Sequence, residues 1–194
     1  MTEKALRKEG TILFCDIRNF TNLFEKRDPV EAVKFANSVL AVLGEDVEKN
    51  GGVVDRFTGD GFLAHFGILN DDQNHIEKGC RAAISLRNVL QQINTQRYFK
   101  VESVLSFGIG IHTGNVAYGK IETPQISQHT VLGDVVNTAS RIEGLTNFFA
   151  LDILASEKVY KGVHEIFNFK KMPVKKVKGK KEGVQTYWLL PTNF

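Results

Sequence analysis

Two acids stand where a cation could use them. Asp16 closes a nearly apolar run, residues 11–16 (TILFCD), and Asp60 sits in the turn Thr58-Gly59-Asp60-Gly61. A carboxylate at the end of a buried strand is costly unless something compensates its charge. If that strand lies beside the hairpin carrying Asp60, the two carboxylates converge and repel. An all-oxygen pair of this kind suits Mg²⁺ or Mn²⁺. The following turn, residues 17–21, is expected to start a helix, whose free N–H groups would receive phosphate. Metal-binding acids beside such a turn describe a nucleotide site.

A second constellation is Thr130-Val131-Leu132-Gly133-Asp134-Val135-Val136-Asn137-Thr138-Ala139-Ser140-Arg141. With Asp134 as a helix cap, Asn137 and Arg141 fall one turn apart on one face. Val135, Ala139 and Ile142 form the other, apolar face, so the polar pair points away from the core.

Positioning these groups takes a regular alternation of elements. Residues 11–16 read as a buried strand. Asp28-Pro29-Val30-Glu31 is a helix start, with Asp28 as cap, Pro29 at the first helical position and Glu31 where a capping-box acid belongs. Val33, Ala36, Leu40, Leu43 and Val47 follow at helical spacing, and Asn50-Gly51-Gly52 stops the helix. Residues 53–57 and 62–66 flank the Asp60 turn as a β-hairpin. Ile76, Cys80, Ala83, Leu90 and Ile93 mark a second long helix. Residues 104–112 read as a half-buried strand that turns at Thr113-Gly114 into another, residues 115–121. Residues 134–146 form a third helix, and short strands fill the lysine-rich end. This order predicts an α+β domain, a mostly antiparallel sheet with helices over one face, and a ferredoxin-like or palm-like core in particular.

The chain has 194 residues, 42% hydrophobic and 24% charged, with 17 Gly and only 4 Pro. That length suits one large domain, and the composition excludes collagen-like and disordered classes. Residues 1–10 read as a boundary or linker and residues 11–194 as the folded domain. Apolar runs such as residues 39–43 are too short to span a bilayer. Two cysteines, Cys15 and Cys80, give no disulfide framework and read as buried small side chains in a reducing compartment. The expected location is cytoplasmic, though a longer parent protein could be membrane-attached. The net charge is +3. Nine lysines against Glu165 and Glu182 give residues 158–183 a local +7, leaving −4 elsewhere. That balance argues against a long nucleic-acid track, and lysines on an edge hairpin suit solvation.

Other motifs fail. Gly108-x-Gly110-x-x-x-Gly114 is not the dinucleotide fingerprint and lies within a strand. No Walker A sequence occurs, and the five histidines lack metal-ligand spacing; His65 and His112 read as packed or partly exposed strand residues.

VVDRFTGDGFLAHFG and VLGDVVNTASRIEGL, preceded by TILFCDIRNFT, resemble the catalytic domain of class III adenylyl and guanylyl cyclases over residues 11–188. The resemblance implies that Asp16, Asp60 and Ile17 hold two Mg²⁺ or Mn²⁺ ions. One would activate the ribose 3′-hydroxyl of ATP for attack on the α-phosphorus; the other would hold the β- and γ-phosphates. It implies phosphate contacts at Ile17, Phe20 and Thr21, and a triphosphate contact at Lys178. Asn137 would orient the ribose and Arg141 would meet charge developing on the α-phosphate. Base selection would fall to Arg56 and Thr130. Adenylyl cyclases of the family usually carry Lys at the first position, so Arg56 is a departure, as is Asn19 where Gly is frequent. Adenine N1 can accept from Arg56 and its amino group can donate to Thr130, which favours ATP, but guanine O6 also accepts, so GTP stays open.

In the family the metal acids come from one domain and the base-selecting, Asn/Arg and lysine groups from its partner. Carrying both sets, this chain is expected to form a two-fold homodimer with shared sites, in second-messenger signalling under an upstream sensor or regulatory domain. The rivals are a guanylyl cyclase, a catalytically silent cyclase-like domain, and a palm-like nucleic-acid module.

Overall fold

The computed structural model describes residues 5–18, 20, 28–96, 104–177 and 182–191. In chain order the elements are β1 (Leu6–Ile17), α1 (Pro29–Lys49), β2 (Val53–Phe57), β3 (Gly61–Phe66), α2 (His75–Gln96), β4 (Phe107–Glu122) and β5 (Ser127–Leu132). They continue with α3 (Asp134–Phe149), β6 (Ile153–Ser156), α4 (Glu157–Val163), β7 (Phe169–Lys171) and β8 (Thr186–Leu189).

The run β1-α1-β2-β3-α2-β4 is the ferredoxin-like β-α-β-β-α-β unit. Its strands lie in the order β2-β3-β1-β4, every neighbouring pair antiparallel. The sheet continues through β6, β8 and β7, with β6 parallel to β4 and β5 paired to the far half of β4.

Local chemistry explains the starts and stops. Asp28 accepts a hydrogen bond from the Val30 N–H at 3.0 Å, and Pro29 opens α1 where its missing donor costs nothing. Phe35, Val39, Leu40, Leu43 and Val47 form the buried stripe of α1, while Val33 is 68% exposed. The helical period therefore holds, with Phe35 and Val39 on the core-facing stripe. The hairpin β2–β3 closes as read, with the Thr58 N–H donating to the Gly61 carbonyl at 2.9 Å. Arg87 of α2 donates to Asp152, at 2.5 and 3.1 Å, and to the Leu189 carbonyl at 2.6 Å, clamping that helix to β6 and β8.

Several elements differ from the sequence reading. Strand β1 begins at Leu6, with Leu6–Gly10 paired to Gly114–Tyr118 of β4, so the polar opening residues extend the sheet. Thr113-Gly114 is no hairpin turn. Gly114 takes φ +152, a backbone that side chains disfavour, and the chain passes through it as one sixteen-residue strand. The true hairpin is β4–β5, closed where the Thr123 N–H donates to the Ile126 carbonyl. Asp134 is not the cap of α3; Gly133 takes that place, without a side-chain hydrogen bond.

The helices lie on both faces of the sheet, not one. Leu13, Cys15 and Ile17 of β1 join the core built on α1 and α2, whereas Ile12 and Phe14 join Val135, Val136 and Ala139 of α3. Alternation along β1 makes these opposite faces. Helix α3 settles onto bare backbone: a Cβ on Gly110 would stand 2.2 Å from the Glu143 nitrogen and 2.4 Å from the Ala139 carbonyl oxygen. Gly108 is as tight, against Thr146 and Glu143. The glycine spacing that failed as a dinucleotide motif is thus a helix seat. Cys15 and Cys80 are both buried and free.

Replacing Gly110 by Ala is expected to destabilise the chain by about 1–3 kcal/mol in urea unfolding, because the blocking atoms are backbone. Gly144, with no heavy atom within 4 Å of an added Cβ, gives the opposite sign: Gly144→Ala gains about 0.5–1 kcal/mol. Equal effects at the two sites would contradict this helix seat.

Candidate active site

Register brings the two acids together. Asp16 faces Gly61 on one side and Gly108 on the other. A Cβ on Gly61 would lie 2.1 Å from the Cys15 carbonyl oxygen, so only glycine lets the Asp60 turn press against the end of β1. The Asp60 carbonyl then accepts the Ile17 N–H at 2.9 Å. Burial, followed by the charge and hydrogen bonding of Asp60, pushes the Asp16 carboxyl from 3.8 up to about 7, with the Arg18 guanidinium opposing.

A third acid, not singled out from sequence, joins them. Glu143 comes off the sheet-facing side of α3, and its carboxyl is raised to about 7 by burial and by Asp16, against the pull of Arg18. The signal for it was present in the helical period, since Glu143 is four residues from Ala139 on the buried stripe. Arg18 is itself held away, donating to the Phe107 carbonyl at 3.1 Å and to the Leu151 carbonyl. The cluster therefore carries more acid than the fixed cations of the described residues offset, and its oxygen donors fit a hard divalent ion. Among the described residues no group of three acids, histidines or cysteines is arranged as a ready-made cage.

The Ile17 N–H goes to Asp60 and the Arg18 N–H to the Ser106 carbonyl at 2.8 Å. Neither is free for phosphate, so any amide contact there falls to later residues. The Ile17 side chain is buried, leaving only its main chain for a ligand. Phe20 stacks on Phe35 with ring centroids 6.2 Å apart. Thr21, Asn19 and Lys178 lie outside the described residues.

The Arg56–Thr130 pair, separated by 74 residues, does converge. Arg56 Nη1 donates to Thr130 Oγ1 at 2.5 Å and to Asp55 Oδ2 at 2.8 Å. Asp55 was not read from sequence as part of any site. It accepts from the Thr130 hydroxyl at 2.6 Å and from the Val131 N–H at 3.1 Å. Its side chain is 1% exposed and that of Arg56 33%. A bulge makes this possible: Val54 pairs with Ala64 and Arg56 with Leu63, so Asp55 is an extra residue in β2. Adjacent side chains normally leave a strand on opposite faces; the bulge aims both at Thr130. His65 is buried beside this network, and burial lowers its pKa.

Asn137 and Arg141 lie on α3 as expected, Asn137 exposed and Arg141 half-buried. At about 100° per residue they stand roughly opposite Ala139 and Glu143, which face the sheet. Arg141 is not among the charges acting on Asp16 or Glu143. Within one chain the acid cluster and the guanidinium therefore face different ways. His112 is tied to Ser156, with Nδ1 to Oγ at 2.8 Å, and no described helix is long and apolar enough to cross a membrane.

Comparison with known proteins identifies the family and the fold. The family model described as the adenylate and guanylate cyclase catalytic domain matches residues 3–191. An adenylate cyclase of Anabaena cylindrica is 36% identical over 190 residues, covering 94% of this chain and 37% of that protein. Adenylate cyclase 1 of Rhizobium meliloti is 30% identical over 183 residues, covering 94% and 28%. The chain thus spans about a third of the length of these relatives. The crystal structure of the adenylyl cyclase CyaB from P. aeruginosa superposes with a TM-score of 0.88 at 25% identity, covering 98% of each chain. That of the guanylyl cyclase Cya2 gives 0.88 at 26%, covering 100% and 96%.

Because Asp16 and Glu143 bind their protons more tightly when folded, their contribution to stability is largest at low pH. It is lost as pH rises from about 4 toward 7. Metal-free protein should therefore melt lower at pH 8 than at pH 5.5, and Mg²⁺ or Mn²⁺ should raise Tm more at pH 8. Asp16→Asn should melt above wild type at pH 8 without metal and lose the metal-induced shift. Calorimetry with and without chelator checks both; an Asp16→Asn protein that keeps the full shift would remove Asp16 from the metal site.

Proposed function

Since the chain belongs to the adenylate and guanylate cyclase catalytic domain family, we propose that it converts ATP to 3′,5′-cyclic AMP and pyrophosphate as a homodimer with sites shared between subunits. The observation that carries this reading is the separation within one chain. Asp16, Asp60 and Glu143 form an acid cluster on one side of α3, and Asn137 and Arg141 occupy its other side. Each chain then offers two different half-sites, and a two-fold partner completes both.

Asp16 and Asp60 would hold the divalent ions, with the Ile17 main chain beside them. Such ions, when bound, supply Lewis-acid stabilisation of phosphate charge and make the ribose 3′-hydroxyl easier to ionise. Asn137 of the other subunit fixes the ribose so that its 3′-oxygen stands in line with the α-phosphorus. The O3′–P bond forms as the bond to the bridging oxygen of pyrophosphate breaks. The Arg141 guanidinium meets the charge gathered on the α-phosphate oxygens, and Lys178 meets the triphosphate. Arg56 donates to adenine N1, and Thr130 accepts from the 6-amino group.

Adenylate cyclases among the relatives, at 36% and 30% identity, support ATP. The likeness to the guanylyl cyclase Cya2 supports GTP as the second reading. Turnover of each nucleotide with Mg²⁺ and with Mn²⁺, on protein of measured oligomeric state, decides between them. Cyclic AMP should dominate; no product from either nucleotide in a verified dimer would make the domain a silent partner. Asp16→Ala and Arg141→Ala should each be nearly inactive, the latter by on the order of 10³-fold. Mixing the two variants should restore activity through heterodimers holding one intact site. Freely exchanging subunits that stay inactive would end the shared-site reading.

A further inference from the structure

We infer that Asp55 is a specificity-positioning residue, which makes the Thr130 hydroxyl an acceptor toward an incoming purine and so selects a 6-amino base over a 6-oxo base. The inference rests on the reading that Arg56 and Thr130 meet the base. By itself a threonine hydroxyl is ambivalent: it can donate one proton and can accept at its oxygen. Facing a base alone, it would accept from the 6-amino group of adenine or donate to O6 of guanine, merely by rotating.

Asp55 removes that freedom. Its Oδ2 takes the Thr130 proton at 2.6 Å, its Oδ1 takes the Val131 N–H at 3.1 Å, and Arg56 Nη1 closes on the same Oδ2 at 2.8 Å. A carboxylate that is 1% exposed cannot turn to water for replacements. Rotating the Thr130 proton toward a ligand would strip this buried carboxylate of a donor, which is costly. Thr130 Oγ1 therefore offers lone pairs only. One accepts from Arg56 Nη1, at 2.5 Å, and the other can take a donor that reaches Thr130, itself only 4% exposed in the single chain. An adenine amino group fits there, whereas guanine O6 would set oxygen against oxygen. The same anchor pins Arg56 Nη1, directing the rest of its guanidinium to the base edge.

The test is the ratio of kcat/KM for GTP and ATP. Asp55→Asn keeps the shape and can keep the Val131 bond, but its amide can donate to Thr130 and free the hydroxyl to donate onward. The GTP/ATP ratio should rise about tenfold or more, since the lost contrast is that of one unpaired polar group. In a Thr130→Ala background the same change should move the ratio far less than it does with Thr130 present, because no hydroxyl remains to be oriented and only the Arg56 anchor is altered. Equal loss on both nucleotides in folded, dimeric Asp55→Asn would make Asp55 merely structural and overturn the inference.

A measurement on the wild-type protein stands independently of that variant. N⁶-methyl-ATP and the triphosphate of 6-methoxypurine riboside have the same size and keep N1 as an acceptor, differing only in N–H against oxygen at position 6. The amino analogue should be used about tenfold better; equal handling overturns the inference. If instead Thr130→Ala leaves the wild-type GTP/ATP ratio unchanged, the base-reading role of Thr130 fails, which is a different failure from that of Asp55.

Discussion

Helix α3 lies where it does because β4 presents bare backbone to it at Gly108 and Gly110. With no side chains between them, helix and strand approach until the Glu143 nitrogen and the Ala139 carbonyl would touch any added carbon. Much of the chemistry follows from that closeness. The inner side of the helix carries Glu143 down to the end of β1, where Asp16 waits. Its outer side, Asn137 and Arg141, is turned from the acids by the same geometry. A looser helix could roll and let arginine reach carboxylate within one subunit, producing an inert salt bridge. The glycine seat keeps the opposite charges apart.

Two carboxylates in this fold, Asp55 with a buried side chain and Asp16 half-buried, show opposite solutions to one problem. Asp55 is almost wholly out of solvent, yet its oxygens receive a hydroxyl, a backbone N–H and a guanidinium. Asp16 has acids for neighbours, and the cation among the described residues that acts on it, Arg18, is bound to carbonyls of other segments. The first group is a finished piece of structure. The second is left short of positive charge, at a strand end, between two glycines that give it room. Stability would be better served by an asparagine there, which is why the acid reads as functional.

Much of this was legible in the chain, for identifiable reasons. Asp28-Pro29 announced α1 because capping and proline chemistry are local. The hairpin around Asp60 was legible because its turn needs glycine, and Asn137 with Arg141 followed from the period of a helix. What escaped was set by distant partners. Gly114 looked like a turn residue, but its neighbours on β1 hold β4 extended through it. Strand β5 opens with exposed Ser127, Gln128 and His129, so no apolar alternation marked it. Asp55 looked like an ordinary strand acid, since nothing nearby in sequence says that Thr130 and Val131 will arrive as its donors. Glu143 was overlooked as one more charge on a helix, when the buried stripe of that helix passes beneath it.

The extra residue in β2 has a consequence of a different kind. The five residues Val53–Phe57 cover fewer partners on β3 than a regular strand would, and the surplus is what turns Asp55 and Arg56 to the same side. Side-chain identity can drift one substitution at a time, with intermediate specificities along the way. Strand length cannot. Loss of a single codon in this stretch would restore simple alternation and send the two side chains to opposite faces in one step. The pair is therefore inherited as a count of residues as much as a choice of them. Transplanting Arg56 alone into a relative without the bulge would carry over the letter without its geometry.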